Sequence, residues 1–188
     1  GAGAPRVPRP RPLVRVPGRP HVPDRPDLGR RETVLAAYLA CHDGPATTSG
    51  IQDAIWNGRA VESKTLWNLI ARTRRALGSF DDGTPVMPQA DRIKGTITLG
   101  PGAMSDLTVL RTSYERAVES SSAEAIPLLQ NALDLIHGPP FDAPGYDWAH
   151  HTHQYVAEAS ALIEQAAVLL AKLAQADGTA DLARHALV

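Results

Sequence analysis

The sequence predicts a mainly helical protein with small β elements. Three observations carry the prediction. Ala and Leu dominate a 43% apolar composition in which aromatics reach only 5%, a balance that favours helices. Most apolar residues recur at the spacing of one helix face. Strand-like patterns are confined to the short stretches 13–22, 86–89 and 96–99. A chain of 188 residues has room for one large domain or two small ones.

The elements follow in order. The chain starts GAGAPRVPRPRP, without a methionine. Gly-Ala is read as a cloning remnant, and the Pro-Arg alternation of 1–12 as an extended linker of polyproline type. Residues 13–22 (LVRVPGRPHV) alternate apolar and polar around Pro17-Gly18, as in a short hairpin or a broken pair of edge strands. Residues 30–42 predict a helix with Val34, Leu35, Tyr38, Leu39 and Cys41 inward, stopped by Asp43-Gly44-Pro45. Thr47, Thr48 and Ser49 offer N-cap oxygens to a second helix over 49–56. Asn57-Gly58 turns the chain into a third helix over 62–77, which Gly78 ends. After a polar loop, 86–89 and 96–99 are strand candidates around residues 90–95. Sheet, three helices and terminal hairpin describe a winged helix over 13–100, with the second and third helices as the helix-turn-helix and the hairpin as the wing.

Beyond Pro101-Gly102 the segments 107–120, 123–137, 146–176 and 180–187 are helical in period, with no strand signal between them. Paired helices with short polar links predict a tetratricopeptide-like array over 105–188. The chain stops inside a helical pattern, so it is expected to be a piece of a longer protein, with the last domain truncated.

The segment 61–78, VESKTLWNLIARTRRALG, holds the clearest chemistry. At about 100° per residue, Leu66, Leu69, Ile70, Thr73 and Leu77 share one side. Lys64, Asn68, Arg72 and Arg75 fall opposite. Long cations suit phosphates and guanine edges, and Asn can pair with adenine, so this face suits a DNA major groove. The same pattern also serves an ordinary packed helix with a solvated basic face. Trp67 lies at the flank, placed either to contact a sugar-phosphate edge or to close the core. Charge is divided as well. Residues 1–104 hold 15 Lys and Arg against 9 Asp and Glu, a net of +6; residues 105–188 hold 4 against 11, a net of −7. Only the first half is expected to meet a polyanion, and the acidic half a protein.

Other classes find little support. No apolar run approaches the roughly 18 residues of a membrane helix, and there is no secretory leader pattern. The one cysteine, Cys41, sits at an apolar helical position and reads as a small core residue of a reducing compartment. His150, His151 and His153 beside Asp147 lack the four convergent ligands of a zinc site and read as a solvated helix face. No catalytic signature or phosphate-binding glycine motif is present, so neither an enzyme nor a cofactor is expected. Trp56 reads as an anchor fixing the angle between the second and third helices. Phe141 and Trp148 read as apolar filler of a Gly/Pro-rich corner between the two halves, the alternative being a partner-binding pocket.

Three segments together carry a resemblance. IQDAIW with Asn57-Gly58, then KTLWNLIARTRRALG, then a hairpin, resemble the winged-helix domain of actinobacterial antibiotic-regulatory-type activators. ALDLIHGPPFDAPGYDWA (132–149) resembles the signature of the bacterial transcriptional activator domain that follows it in that family. The likeness runs from about residue 13 to the C-terminus. It implies a cytoplasmic transcription regulator of duplex DNA. The third helix would read the promoter through Lys64, Thr65, Asn68, Arg72 and Arg75, and the wing would touch the flanking minor groove through Arg92 and Lys94. Trp56, Phe141, Tyr146 and Trp148 would be structural. The helical half would supply contacts to RNA polymerase, to another protein or to a second copy. Glu62, Asp81, Asp82 and Asp91 lie close to the proposed surface, so nonspecific affinity is expected to be weak. The activator domain is also shorter than the family's helical set. A variant of the family carries both domains at the tail of membrane- or cell-wall-associated proteins. The alternative is therefore an interaction module without sequence-specific DNA binding, and the outward face of the third helix separates the two readings.

Overall fold

The computed structural model describes residues 28–42, 44–80, 82–151, 154–176 and Gly178. The expected leader, the hairpin of 13–22 and the last helix of 180–187 lie outside the described residues. The described residues are mainly helical, with a small two-stranded sheet. Its elements are α1 (Arg30–Cys41), β1 (Ala46–Thr47), α2 (Thr48–Trp56), α3 (Ser63–Leu77), β2 (Thr96–Ile97), α4 (Asp106–Glu119), α5 (Ser122–Leu133), α6 (Asp147–His151) and α7 (Tyr155–Ala176).

Local chemistry sets the ends of the first helices. The Thr47 side chain accepts from the Gly50 amide (3.1 Å) and starts α2. Asn57 closes α2 in the left-handed region at φ 52°, which Asn tolerates better than most residues. In α3, Leu66, Leu69, Ile70, Thr73 and Leu77 are buried. The Thr73 hydroxyl donates to the Leu69 carbonyl at 2.9 Å, so its polar atom is satisfied inside the core. Gly78 ends the helix at φ 65°.

The sheet differs from the expected hairpin. β2 pairs antiparallel with β1, Ala46 opposite Ile97 and Thr47 opposite Thr96. Residues 86–89 form no strand. Val86 and Met87 are buried there. The Val86 amide donates to Gly78 (3.0 Å), and its carbonyl accepts from Gly100 (2.8 Å). Both backbone groups of Val86 are thus committed to loops on either side, and Pro88 has no amide to give a ladder. β1 is two residues long and leaves no alternation to detect.

The second half is a helical layer. Ser105 caps α4 by accepting from the Thr108 amide at 3.1 Å. α4 packs on α5, and α7 lies against both; Arg111 of α4 pairs with Glu158 of α7. Two expected boundaries are corrected. α5 stops at Leu133 rather than 137, because tight turns from Leu135 to Ala132 and from Ile136 to Leu133 replace the helical ladder ahead of Gly138-Pro139-Pro140. The helix expected over 146–176 is two helices, with Gln154 at φ 54° ahead of α7. α6 packs on α2 and α7, whereas α7 packs on α4 and α5, a division that the apolar period does not mark.

α1 joins the two halves. Val34, Leu35, Ala36, Ala37, Tyr38 and Leu39 are all buried, so the helix is covered around its whole circumference. One side faces α2 and α3. Against the other side lies an aromatic cluster. Trp148 sits among Tyr38 (ring centroids 5.2 Å apart), Phe141 (5.5 Å), Tyr155 (5.8 Å) and Tyr146 (5.9 Å). The contacts to Tyr38, Phe141 and Tyr155 are edge-on, the favoured geometry for aromatic quadrupoles. Phe141 adopts φ 57°, strained for a bulky residue, to reach this cluster. Asn57 Nδ2 donates to Asp147 Oδ2 (3.1 Å), and Arg30 Nε to the Pro144 carbonyl (3.4 Å). Buried side chains from Val34 through Leu170 thus form one continuous core.

Truncation of Trp148 to Ala is expected to cost roughly 3–5 kcal/mol, a large part of a domain's stability. Trp148 Nε1 is buried without a hydrogen-bond partner among the described residues. Trp148→Phe removes that unmet donor together with some packing, so its cost is expected to be smaller. Thermal unfolding of both variants checks the order; equal losses would mean that the ring's area is not what holds the halves together.

Burial raises two acidic groups in the same region. It pushes the Cys41 thiol from 9.0 up to about 12 and the Tyr146 hydroxyl from 10.0 up to about 12. Each stays neutral in the folded chain where its unfolded counterpart ionises. The stabilisation is therefore complete below pH 9 and is lost as pH rises through about 12. Melting temperature is expected to fall as pH climbs above 9, less steeply in Cys41→Ala, and a slope unchanged by the substitution would assign the loss to other groups.

Candidate nucleic-acid interface

The α3 stripe that enters the core fixes what the opposite side presents. Lys64, Thr65, Asn68, Arg72 and Arg75 are all exposed, and Arg74 is exposed beside them. Arg72 is not simply solvated. Its Nε lies 2.9 Å from Glu32 Oε1 of α1, with the Arg72 side chain 61% exposed and that of Glu32 11%. One edge of the guanidinium is anchored while most of the group still faces outward. Sequence reading missed Glu32. A single acid in the first turn of α1 carries no signal that its partner lies on α3.

A second piece of the surface is the turn between Asp91 and Thr96. These two residues exchange both backbone hydrogen bonds, at 3.0 and 3.1 Å. The Asp91 carboxylate accepts from the amides of Ile93 and Lys94, each at 3.0 Å. Gly95 takes φ 62°, and its carbonyl accepts from the Thr48 amide at the start of α2 (3.0 Å). The turn is also tied to α3. The Arg92 guanidinium lies 5.4 Å from the centre of the Trp67 ring, within cation–π range. Arg92, exposed within the turn, thereby braces it against the flank of α3. Trp67 is half-buried, its ring packed against the core and its face covered by Arg92. Lys94 is exposed.

The acids near this surface are partly in use. Asp91 is committed to the turn's own amides. Asp82 accepts from the Thr84 hydroxyl and amide, which holds its carboxyl below the usual carboxylate range. Glu62 occupies the N-cap position of α3 without a side-chain cap bond, where a negative charge suits the helix dipole. Asp81 lies outside the described residues.

The remaining site residues lie elsewhere. Trp56 is half-buried at the end of α2, with the Arg31 guanidinium 5.8 Å over its ring. Phe141, Tyr146 and Trp148 are buried in the cluster beneath α1. His150 is exposed; the side chains of His151 and His153 lie outside the described residues. Asp147 accepts from Asn57. No group of three His, Cys, Asp or Glu residues able to hold a metal occurs among the described residues. A small apolar cavity between α4 and α7 is lined by Leu107, Leu110, Ile136, Ala159 and Ile163 and holds no titratable side chain. No described helix is long and apolar enough to cross a membrane.

No protein family, curated protein or solved structure matches the chain.

Removal of the Asp91 carboxylate is expected to loosen the turn without disturbing α3. In Asp91→Ala the amides of Ile93 and Lys94 lose their acceptor and should exchange hydrogen faster, while amides of 66–77 keep their protection. Residue-resolved hydrogen exchange checks this; unchanged rates at 93 and 94 would remove Asp91 as the organiser of the turn.

Proposed function

We propose that the chain is a DNA-binding transcription regulator built as a winged helix followed by a tetratricopeptide-like helical half, as in the activators it resembles. α3 is the reading helix, and the 91–96 turn is a reduced wing. The acidic half is the surface for RNA polymerase, another protein or a second copy, in the cytoplasm. One observation carries the reading. Lys64, Thr65, Asn68, Arg72 and Arg75 are exposed on α3, and Lys94 is exposed on a turn braced to the same helix. Long donors on a rigid helix can meet base edges, while Lys94 meets phosphate. Glu32 is a positioning residue in this scheme. By taking Arg72 Nε it fixes the fork that would face a guanine. An interaction module is the second reading, and the acidic half favours it by exposing Val118 and Val168.

Binding to duplex DNA is expected to be weak and salt-dependent. With about four to six phosphates met per protomer, the log–log salt slope should be roughly −4 to −5. Titration of labelled duplex at several salt concentrations checks it. Failure to bind at low salt, or binding indifferent to salt, would move the choice to the interaction module.

Specific and general contacts should separate by substitution. Asn68→Ala and Arg72→Ala are expected to lower discrimination between a selected site and a scrambled duplex by ~1–3 kcal/mol each. Lys94→Ala should weaken both duplexes about equally. Glu32→Gln should reduce discrimination without flattening the salt slope, since no cation is removed. The opposite pattern, with preference lost at Lys94 and kept at Asn68 and Arg72, would place the reading surface elsewhere.

A further inference from the structure

Ile93 is 99% exposed, far more than Val118 at 59% or Val168 at 38%. A lone aliphatic side chain on a loose loop needs no explanation. The turn that carries Ile93 is not loose. Its base is closed by the paired bonds of Asp91 and Thr96, and the Ile93 amide itself is held by the Asp91 carboxylate. Gly95 is bonded to the start of α2, and Arg92 is stacked on Trp67. Four constraints thus hold the backbone of a turn whose one large apolar side chain stands in water. Its neighbours on both sides are cations, Arg92 and Lys94. A surface that receives this tip must offer negative charge at its rim and an apolar slot within.

The minor groove of DNA has that chemistry, with phosphates along both edges and the faces of stacked bases inside. We infer that Ile93 is a wedge. Docked beside α3, it enters the flanking minor groove and slips between neighbouring base pairs, partly unstacking them and bending the duplex. The least costly place is a flexible pyrimidine–purine step. Lys94 meets the phosphate edge and Arg92 remains the brace on Trp67. The inference rests on the DNA-binding reading, and it adds a specificity element that makes no hydrogen bond to any base.

The test uses the full chain, Ile93→Ala and Ile93→Leu, on duplexes carrying a fluorescent adenine analogue at successive TpA steps beside the bound site. The substituted side chain touches no core, so circular dichroism and melting temperature should be unchanged. The wild type is expected to raise analogue fluorescence at one step and to bend the duplex in a permuted-site gel assay. Ile93→Ala should lose both effects and bind about tenfold more weakly, the scale of a partly buried aliphatic group set against unstacking. Its salt slope should not change, because no cation is lost. Ile93→Leu should restore the signals. Wild-type binding without a fluorescence rise, or a rise and bend that persist in Ile93→Ala, overturns the wedge and leaves the DNA-binding reading standing. Failure of the wild type to bind any duplex at low salt overturns both. Ile93-dependent binding to vesicles of anionic lipid, without base unstacking, assigns the tip to a membrane surface and also overturns the wedge.

Discussion

The complete burial of α1 is the constraint on which the rest of the structure depends. A helix apolar on one face needs one neighbour; α1, with Val34 through Leu39 all buried, needs two. α2 and α3 cover one side, and the Phe141–Tyr146–Trp148 corner covers the other. Remove the aromatic corner and Val34, against Gly145, and Tyr38, against Trp148, would lose their cover. The basic face of α3 is thereby oriented from behind. Its core stripe rests on α1, α1 rests on the aromatic corner, and that corner meets α7 through Tyr155.

Much of this was legible in the sequence, for a physical reason. Helix periodicity repeats every turn, so α1, α2, α3, α4 and most of α5 were readable within a residue or a few of their ends. The α3 stripe was readable residue by residue, because burial of Leu66, Leu69, Ile70, Thr73 and Leu77 depends only on helix geometry and one apolar neighbour. Where contacts across the fold decide, local patterns give no guidance. β1 exists only because Thr96–Ile97 lies beside it. Residues 86–89 have strand-like composition, but loops on both sides claim the backbone groups of Val86. The break before α7 does not interrupt the apolar period. In the candidate site, the exposed residues of α3 followed from the wheel, whereas the Glu32–Arg72 pair and the Arg92–Trp67 stack did not. Both join residues from separate elements.

Charge tells a related story. Counted along the sequence, the acids near the basic surface weaken it. In the fold several are spent on geometry: Asp91 on the amides of its turn, Asp82 on Thr84, Glu32 on Arg72, and Asp147 on Asn57. Bonds from neutral amides and hydroxyls leave a carboxylate its full charge, so of these acids Glu32, paired with the Arg72 guanidinium, is the one offset by a cation. Net charge is thus an incomplete guide to how this face would look to an approaching polyanion, since it does not record that Glu32 is paired with a cation while Asp91 and Asp82 keep their field.

The meeting of Gly145 with α1 has a consequence for how such a chain can change over time. Gly145 lies at φ 102°, and a Cβ there would come within 3.1 Å of Val34 Cγ2. Space and backbone conformation both exclude a side chain. A smaller residue at 34 would open the space and leave the φ requirement in place. Drift at these two positions is therefore asymmetric: Val34 has some freedom to shrink and Gly145 has almost none to grow. In divergent copies of this chain the glycine should outlast the valine, marking the seam between the halves after much of the surrounding apolar surface has been exchanged.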